Sequence, residues 1–141
     1  MKKKITVYMI SSVILITSVI VAFMYYKPHR SVRKEEAAFR MSVTELVDAF
    51  SNDENQANSL YVGKVLEVEG ALKEIIMNDS TLVLLMGDSS QMTGISCYLQ
   101  KDQKEKYTKL RRGETVRVKG ICNGMLMDVV LDKGILLPDA P

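Results

Sequence analysis

The chain has 141 residues, enough for one compact domain and too few for a large multidomain enzyme. Charged residues make up 26% and hydrophobic residues 47%, so wholesale disorder and fibrous or low-complexity architectures are excluded. Seven of the 19 basic residues and none of the 17 acidic residues fall within residues 1–34, which leaves 12 basic against 17 acidic residues in the remainder. A basic leader therefore precedes an acidic domain.

The first predicted element is a single membrane-spanning helix. Residues 5–26 carry no charge, and at about 1.5 Å per residue such a run covers the roughly 30 Å hydrocarbon layer. Signal peptide cleavage needs small residues at the exit, whereas this run ends with Phe23, Met24 and two tyrosines. We therefore predict an uncleaved anchor over residues 1–27, and no lipoprotein, because no cysteine precedes Cys97.

The orientation of this anchor is predicted less directly. Basic residues flank the run on both sides, so the positive-inside rule gives nearly a tie. Because only four residues precede the run, we expect the N-terminus inside. This places the domain on the extracytoplasmic side of the cytoplasmic membrane.

A short linker and two helices are predicted next. Pro28 ends the leader helix, and residues 28–38 form a basic tether without an apolar period. The folded domain is expected over residues 39–141. Ser42 and Glu45 have capping-box spacing ahead of an amphipathic run ending at Phe50, which predicts a short helix. Residues 52–60 predict a second short helix or a loop of helical character.

Five strands are predicted beyond Tyr61, over residues 66–73, 81–86, 94–99, 114–122 and 127–137. A polar helical segment over residues 101–110 lies between the third and fourth strands. Asn123 and Gly124 have the chemistry of a turn, and a bulge is expected at Lys133 and Gly134.

This order of elements is that of an OB-fold barrel. The fold class is therefore mainly β: a five-stranded OB-fold barrel with short N-terminal helices, preceded by a single transmembrane helix. One charge pattern supports this topology, because Glu67 and Glu69 on the first strand would face Arg117 and Lys119 on the fourth.

Four stretches carry a resemblance to a known family: residues 61–70 (YVGKVLEVEG), 94–97 (GISC), 118–124 (VKGICNG) and 127–131 (MDVVL). Over about residues 43–137 the chain resembles the small bacterial OB-fold proteins described as tRNA anticodon-binding-like. Members commonly place a membrane or lipid leader before one barrel. The resemblance implies the architecture and no reaction, since a fold does not fix a function.

Nucleic acid is not the expected partner. Binding of single strands needs a basic groove and aromatic rings on which bases stack, whereas this domain is acidic. The alternative is a nucleic-acid surface formed by the basic segment 101–112 and the outward tyrosine Tyr98. A solvated helix face is the simpler interpretation of this segment. The surface would comprise Tyr98, Lys101, Lys104, Lys106, Tyr107, Lys109, Arg111 and Arg112.

We predict no enzyme activity, no cofactor and no metal. The only histidine, His29, lies in the tether, and no activated nucleophile, phosphate loop or carboxylate pair stands out. Asp88, Asp128 and Asp132 could form a weak cation site, although surface solubility explains them more simply.

Cys97 and Cys122 both fall in the inward phase of their strands. Three interpretations remain open: two buried thiols, a structural disulfide closing a loop of about 25 residues, or a redox or metal pair.

The partner surface is predicted at one barrel end, in the loops over residues 87–93 and 123–126. Met125, Leu126 and Met127 are adaptable apolar side chains beside a turn, either exposed for a partner or tucked into the barrel. The predicted function is that of a membrane-anchored, noncatalytic binding or accessory module of the cell envelope. It would contact the lipid bilayer through its N-terminal helix and an unknown envelope protein or small ligand through the barrel.

Overall fold

The computed structural model describes residues 2–25, 31–78, 81–88, 90–100, 107 and 109–138. The chain divides into two compact units, Met1–Arg30 and Ser31–Pro141. The first unit contains helix α1 (Lys2–Tyr25), so the leader is helical as predicted. Within the part of the chain that the structure describes, no helix reaches the combination of length and apolar character that crossing a membrane requires.

The second unit begins with a short strand and two helices. These are β1 (Phe39–Ser42), α2 (Val43–Asn52) and α3 (Glu54–Tyr61). The predicted capping box starts α2: Ser42 N donates to Glu45 Oε2 over 2.7 Å, and Glu45 N donates to Ser42 Oγ over 3.2 Å. Both predicted helices are present.

Five further strands follow, namely β2 (Val65–Met77), β3 (Leu82–Met86), β4 (Ile95–Leu99), β5 (Thr115–Met125) and β6 (Val129–Leu136). They are arranged in the order β2-β3-β4-β6-β5, and β5 pairs with β2 to close the barrel. All of these pairs are antiparallel except β4 with β6, which is parallel. The predicted OB-fold barrel is confirmed.

The long strand β2 joins the two halves of the barrel. Residues Val65 to Ala71 pair with β5, and Leu72 to Met77 pair with β3, with an irregularity between Leu72 and Glu74. Every second residue of the first half points inward, and Leu66 and Val68 are fully buried. Helix α2 closes this core with its own buried side chains, Val43, Leu46, Val47 and Phe50.

The predicted tether is corrected by a second, smaller hydrophobic cluster. Val32 is fully buried and packs with Val65 and Ile135 on the side of the barrel away from the main core. Strand β1, which was not predicted, runs parallel to β2 with Phe39 opposite Leu66. The compact unit therefore begins at Ser31, and residues 31–38 belong to it instead of forming part of a free linker.

The predicted bulge and the predicted turn have opposite outcomes. Lys133 adopts a positive φ of 51°, and β6 carries one extra residue between Asp132 and Ile135 relative to β5, so the bulge is confirmed. The turn at Asn123 and Gly124 is wrong, because both residues belong to β5, which continues to Met125. The chain reverses at residues 126–128. The helix predicted over residues 101–110 lies largely outside the described residues.

Candidate binding surfaces of the barrel

Three large apolar side chains project into solvent at one end of the barrel. Met92, in the loop between β3 and β4, is fully exposed, and Leu126 and Met127, in the turn between β5 and β6, are 89% and 87% exposed. We call these three residues the apolar tip. Met125 is half-buried and packs against the core. Of the two alternatives left open for these side chains, exposure holds for Leu126 and Met127, and packing holds for Met125.

Asp128 joins the two segments that carry the apolar tip. Its Oδ1 accepts a hydrogen bond from Gly94 N, and its Oδ2 accepts one from Ser96 Oγ, both over 2.9 Å. Val129 N also donates to Gly94 O over 3.0 Å. Gly94 also lies directly against the end of β3, where a side chain on Gly94 would collide with the carbonyl oxygen of Met86. The Asp128 carboxylate therefore has a structural role, and sequence reasoning, which placed it on a strand, missed that role.

The end of helix α3 extends the exposed apolar area. Leu60 and Val62 are 44% and 42% exposed. Val62 Cγ2 lies 3.6 Å from the position that a Cβ of Gly124 would occupy, two residues before Leu126. Helix α3, the β5–β6 turn and the β3–β4 loop thus contribute to one region of the surface.

A second surface, the sheet face, lies on the outside of β2, β3 and β4. Ile76 is opposite Val83, and Val83 is opposite Tyr98, so the three side chains form a row across the strands. Ile76 and Tyr98 are 41% and 42% exposed. This face corresponds to the strand surface that OB folds commonly use for ligands.

The predicted nucleic-acid segment is only partly supported. Tyr107 is 2% exposed and packs in the main core, so its ring is not available for stacking. Lys109, Arg111 and Arg112 are exposed, and Arg112 Nη2 lies 3.0 Å from Glu74 Oε1. Lys101, Lys104 and Lys106 lie outside the described residues. The structure therefore brings Tyr98 to the surface and removes Tyr107 from it.

A groove of mixed charge runs over β1, β2 and β5, with a volume of about 410 Å³. Glu67 Oε2 lies 3.2 Å from Arg40 Nε, and Glu67 Oε1 lies 3.4 Å from Arg117 Nη1. The predicted register is confirmed, since Glu67 is opposite Lys119 and Glu69 is opposite Arg117. The ion pair between β2 and β5 is diagonal, from Glu67 to Arg117. These opposite charges compensate each other, so the groove does not present a basic field for phosphates.

Both cysteines are buried and free. Leu131 is opposite Cys97 on one side and opposite Cys122 on the other, so the two cysteines are separated by two strand spacings. Two spacings amount to about 9–10 Å, beyond the roughly 7 Å between Cα atoms that a disulfide can bridge. The disulfide interpretation is therefore corrected in favour of two buried thiols.

The environment of these thiols keeps them protonated. Burial, with a smaller contribution from the negative charge of Asp132, raises the pKa of Cys97 to about 12. Burial likewise raises the pKa of Cys122, against a hydrogen bond from the Gly124 backbone that lowers it. A protonated, enclosed thiol is a poor nucleophile and a poor metal ligand.

The carboxylates considered as an alternative, weak cation site are not gathered into one centre. Among the described residues, no group of three or more histidine, cysteine, aspartate or glutamate side chains could hold a metal ion. Hydrogen bonds from Ser90 lower the pKa of Asp88. Asp128 is bonded to Gly94 and Ser96 as described above. His29 lies outside the described residues.

The topology and the loop architecture together define an OB-fold domain. The chain belongs to the tRNA_anti-like family, whose model matches residues 1–135. No curated protein sequence matches this chain significantly.

A solved structure with the same fold agrees with this assignment. A Klebsiella pneumoniae subsp. pneumoniae lipoprotein, described as a candidate nucleic acid-binding protein, is 16% identical with a TM-score of 0.60, covering 70% of this chain and 91% of that one. An asparaginyl-tRNA synthetase from Pyrococcus horikoshii is 21% identical with a TM-score of 0.41, covering 56% of this chain and 21% of that one. At 16% identity the likeness to the lipoprotein shows the fold alone.

Proposed function

We propose that this protein is a noncatalytic binding module of the cell envelope. Its N-terminal helix holds it in the cytoplasmic membrane, and its barrel lies on the outer side. The uncharged run over residues 5–26 and the 24 helical residues of α1 support the anchor. The acidic composition of the remaining chain supports a role other than general nucleic-acid binding.

The exposed apolar tip is the observation that carries this proposal. Met92, Leu126 and Met127 together present an apolar area without charge, on loops that Asp128 fixes in place. Fully burying one such side chain is worth about 1.5–3 kcal/mol. A binding partner in the envelope would gain this free energy without having to order the loops first.

The chemistry of the described side chains supports a noncatalytic role. Both thiols are buried and protonated at neutral pH. Two carboxylates on the barrel are already engaged: Glu67 is paired with arginines, and Asp128 accepts hydrogen bonds from a backbone amide and a hydroxyl group. General acid–base or nucleophilic catalysis would need such a group to face a pocket, with a second catalytic group within hydrogen-bonding distance.

Cysteine labelling in cells tests the proposal, because the native thiols are buried and single introduced cysteines then report alone. Leu126→Cys places a thiol at the apolar tip, and Met77→Cys is the matched control at the far end of β2, where the native side chain is 55% exposed. With a maleimide that does not cross membranes, we expect Met77→Cys to react in intact cells and Leu126→Cys to be protected. Both should react in the purified protein.

Two results would contradict the proposal. Equal labelling of the two variants in intact cells would show that nothing covers the apolar tip. Labelling of both variants only after the cells are permeabilised would place the barrel on the cytoplasmic side.

A second candidate function is nucleic-acid binding through the sheet face. The exposed ring of Tyr98, beside Val83 and near Ile76, favours it, since base stacking on one aromatic ring is worth about 1–3 kcal/mol. Filter binding of single-stranded oligonucleotides over a salt series tests it with the wild type and Tyr98→Ala. Tight, steeply salt-dependent binding that weakens in Tyr98→Ala would favour this function over the first; no measurable binding at low salt would eliminate it.

A further inference from the structure

We infer that the apolar tip inserts into the headgroup and outer acyl region of a lipid bilayer. This inference rests on the proposed function, because it assumes that the anchor keeps the barrel at a membrane. It names the occupant of the apolar tip: Met92, Leu126 and Met127 contact lipid.

The shape of the tip favours lipid over a protein partner. Its three side chains are between 87% and 101% exposed, so each projects from a loop and none of them lines a groove. A soft medium accommodates separate projecting side chains, whereas a protein partner would need a matching pocket for each of them. Loops tied by Asp128 can enter such a medium as a preformed unit.

The residue types give the same indication. The side chains that dominate protein–protein interfaces are tryptophan, tyrosine and arginine, and leucine is under-represented among them. The apolar tip contains none of the first three types, and its neighbours Leu60 and Val62 are aliphatic. Transfer of methionine, leucine and valine out of water is driven by their apolar area and needs no specific partner.

The charges around the tip suit a headgroup layer. Lys64, two residues after Val62, is exposed. Lys73 Nζ donates to Gln91 O over 2.6 Å, directly beside Met92 in sequence. Amines that flank an inserted apolar tip can reach lipid phosphates while their stems stay in apolar surroundings. Asp88 is the acidic group of the same loop, and the charge of Lys73 acts on it favourably. The Asp128 carboxylate is already engaged within the protein.

The anchor makes weak insertion sufficient. A second contact with the same bilayer is effectively intramolecular once the N-terminal helix is embedded, so it needs far less affinity than a free protein would. Three aliphatic side chains, too few to bind a membrane alone, can therefore fix the orientation of an anchored barrel.

The natural absence of tryptophan gives a direct test. Leu126→Trp puts a single fluorophore on the apolar tip, and Met77→Trp is the matched control away from it; both native side chains are exposed, so neither substitution disturbs the core. The purified full chain is reconstituted into phosphatidylcholine vesicles with or without bromine on the acyl chains. We expect bromine to quench the emission of Leu126→Trp by about half and that of Met77→Trp hardly at all, because quenching needs contact with the acyl region.

Flotation of the same vesicles after an alkaline wash separates the two possible failures. Protein that floats, but in which Leu126→Trp is quenched no more than Met77→Trp, would overturn the lipid contact and leave the anchor intact. If the tip is nevertheless protected in cells, its occupant is a protein. Protein that does not float would overturn the anchor itself.

Discussion

Alkaline pH should destabilise this protein through Cys97. The residue lies on β4, fully buried, with Leu84 opposite it on β3 and Leu131 opposite it on β6. The sulfur is closely packed, because a Cβ added to Gly134 would collide with Cys97 Sγ. Since no solvent can stabilise a thiolate there, the pKa of Cys97 rises from the ordinary value of 9.0 to about 12.

The sign and the size of the effect follow from proton linkage. The folded protein holds the thiol proton more tightly than the unfolded chain, so the stabilisation is complete below pH 9 and is lost as the pH rises towards 12. At about pH 10.5 the unfolded thiol is ionised and the folded one is not. With about 1.36 kcal/mol for each pKa unit, the loss of unfolding free energy there is about 2 kcal/mol.

The comparison of wild type with Cys97→Ala isolates this contribution, because every other side chain is the same in both proteins. Urea unfolding of the full chain in a neutral detergent, followed by circular dichroism, gives the unfolding free energy of each. Cys97→Ala should be the less stable protein near neutral pH, because it leaves a cavity. The difference should shift by about 2 kcal/mol in its favour at about pH 10.5. A difference that stays constant over this pH range would refute the reasoning.

Three further substitutions test the architecture with the same unfolding assay. Val32→Asp should lower the free energy of unfolding by about 3 kcal/mol, because it buries an unpaired charge against the barrel. The control Ser31→Asp, at the exposed neighbouring residue, should change it hardly at all. Equal effects of the two substitutions would show that Val32 is not packed. Ser42→Ala should cost about 1 kcal/mol through loss of the capping box of α2, and an unchanged midpoint would argue against that cap. Gly94→Ala should cost about 1–3 kcal/mol, since its methyl group meets the carbonyl oxygen of Met86. A neutral result would contradict the close approach of Gly94 to Met86 at the end of β3.

The barrel was predictable because its strands depend on a local pattern and on charge. Alternation of apolar residues along β2 and β5 assigns Leu66, Val68 and Val118 to the interior, where they are fully buried. The outward charges then fix which strands are neighbours, as the pairing of Glu67 with Lys119 shows. The apolar alternation is local in the sequence, and the charge pairing is local in space. Both are readable because these strands have one buried and one solvated face.

The start of the domain was not predictable by the same means. Val32 is one apolar residue within a charged stretch, so it has no period to detect. Strand β1 has only four residues, too few to show a pattern of its own. Its parallel pairing with β2 depends on the position of β2 in the folded barrel. The free energy that orders residues 31–42 therefore comes from tertiary contacts, chiefly those of Val32 with Val65 and Ile135.

The most informative error is the turn predicted at Asn123 and Gly124. The chain instead continues through this pair and reverses later, and this later reversal produces the apolar tip. With the turn at this pair, the next strand would begin at Met127, and alternate side chains of a strand point inward. Instead Gly124, at a φ of 98°, takes part in a register shift within β5, and its missing side chain leaves room for Asn58 and Val62 of the α3 region. The reversal moves to residues 126–128, and Asp128 fixes it by bonding to Gly94. Leu126 and Met127 thereby fall at the apex of the turn, which has no inward side. Their exposure thus follows from tertiary contacts around Gly124 and Asp128, and it can be tested separately from the barrel that supports it.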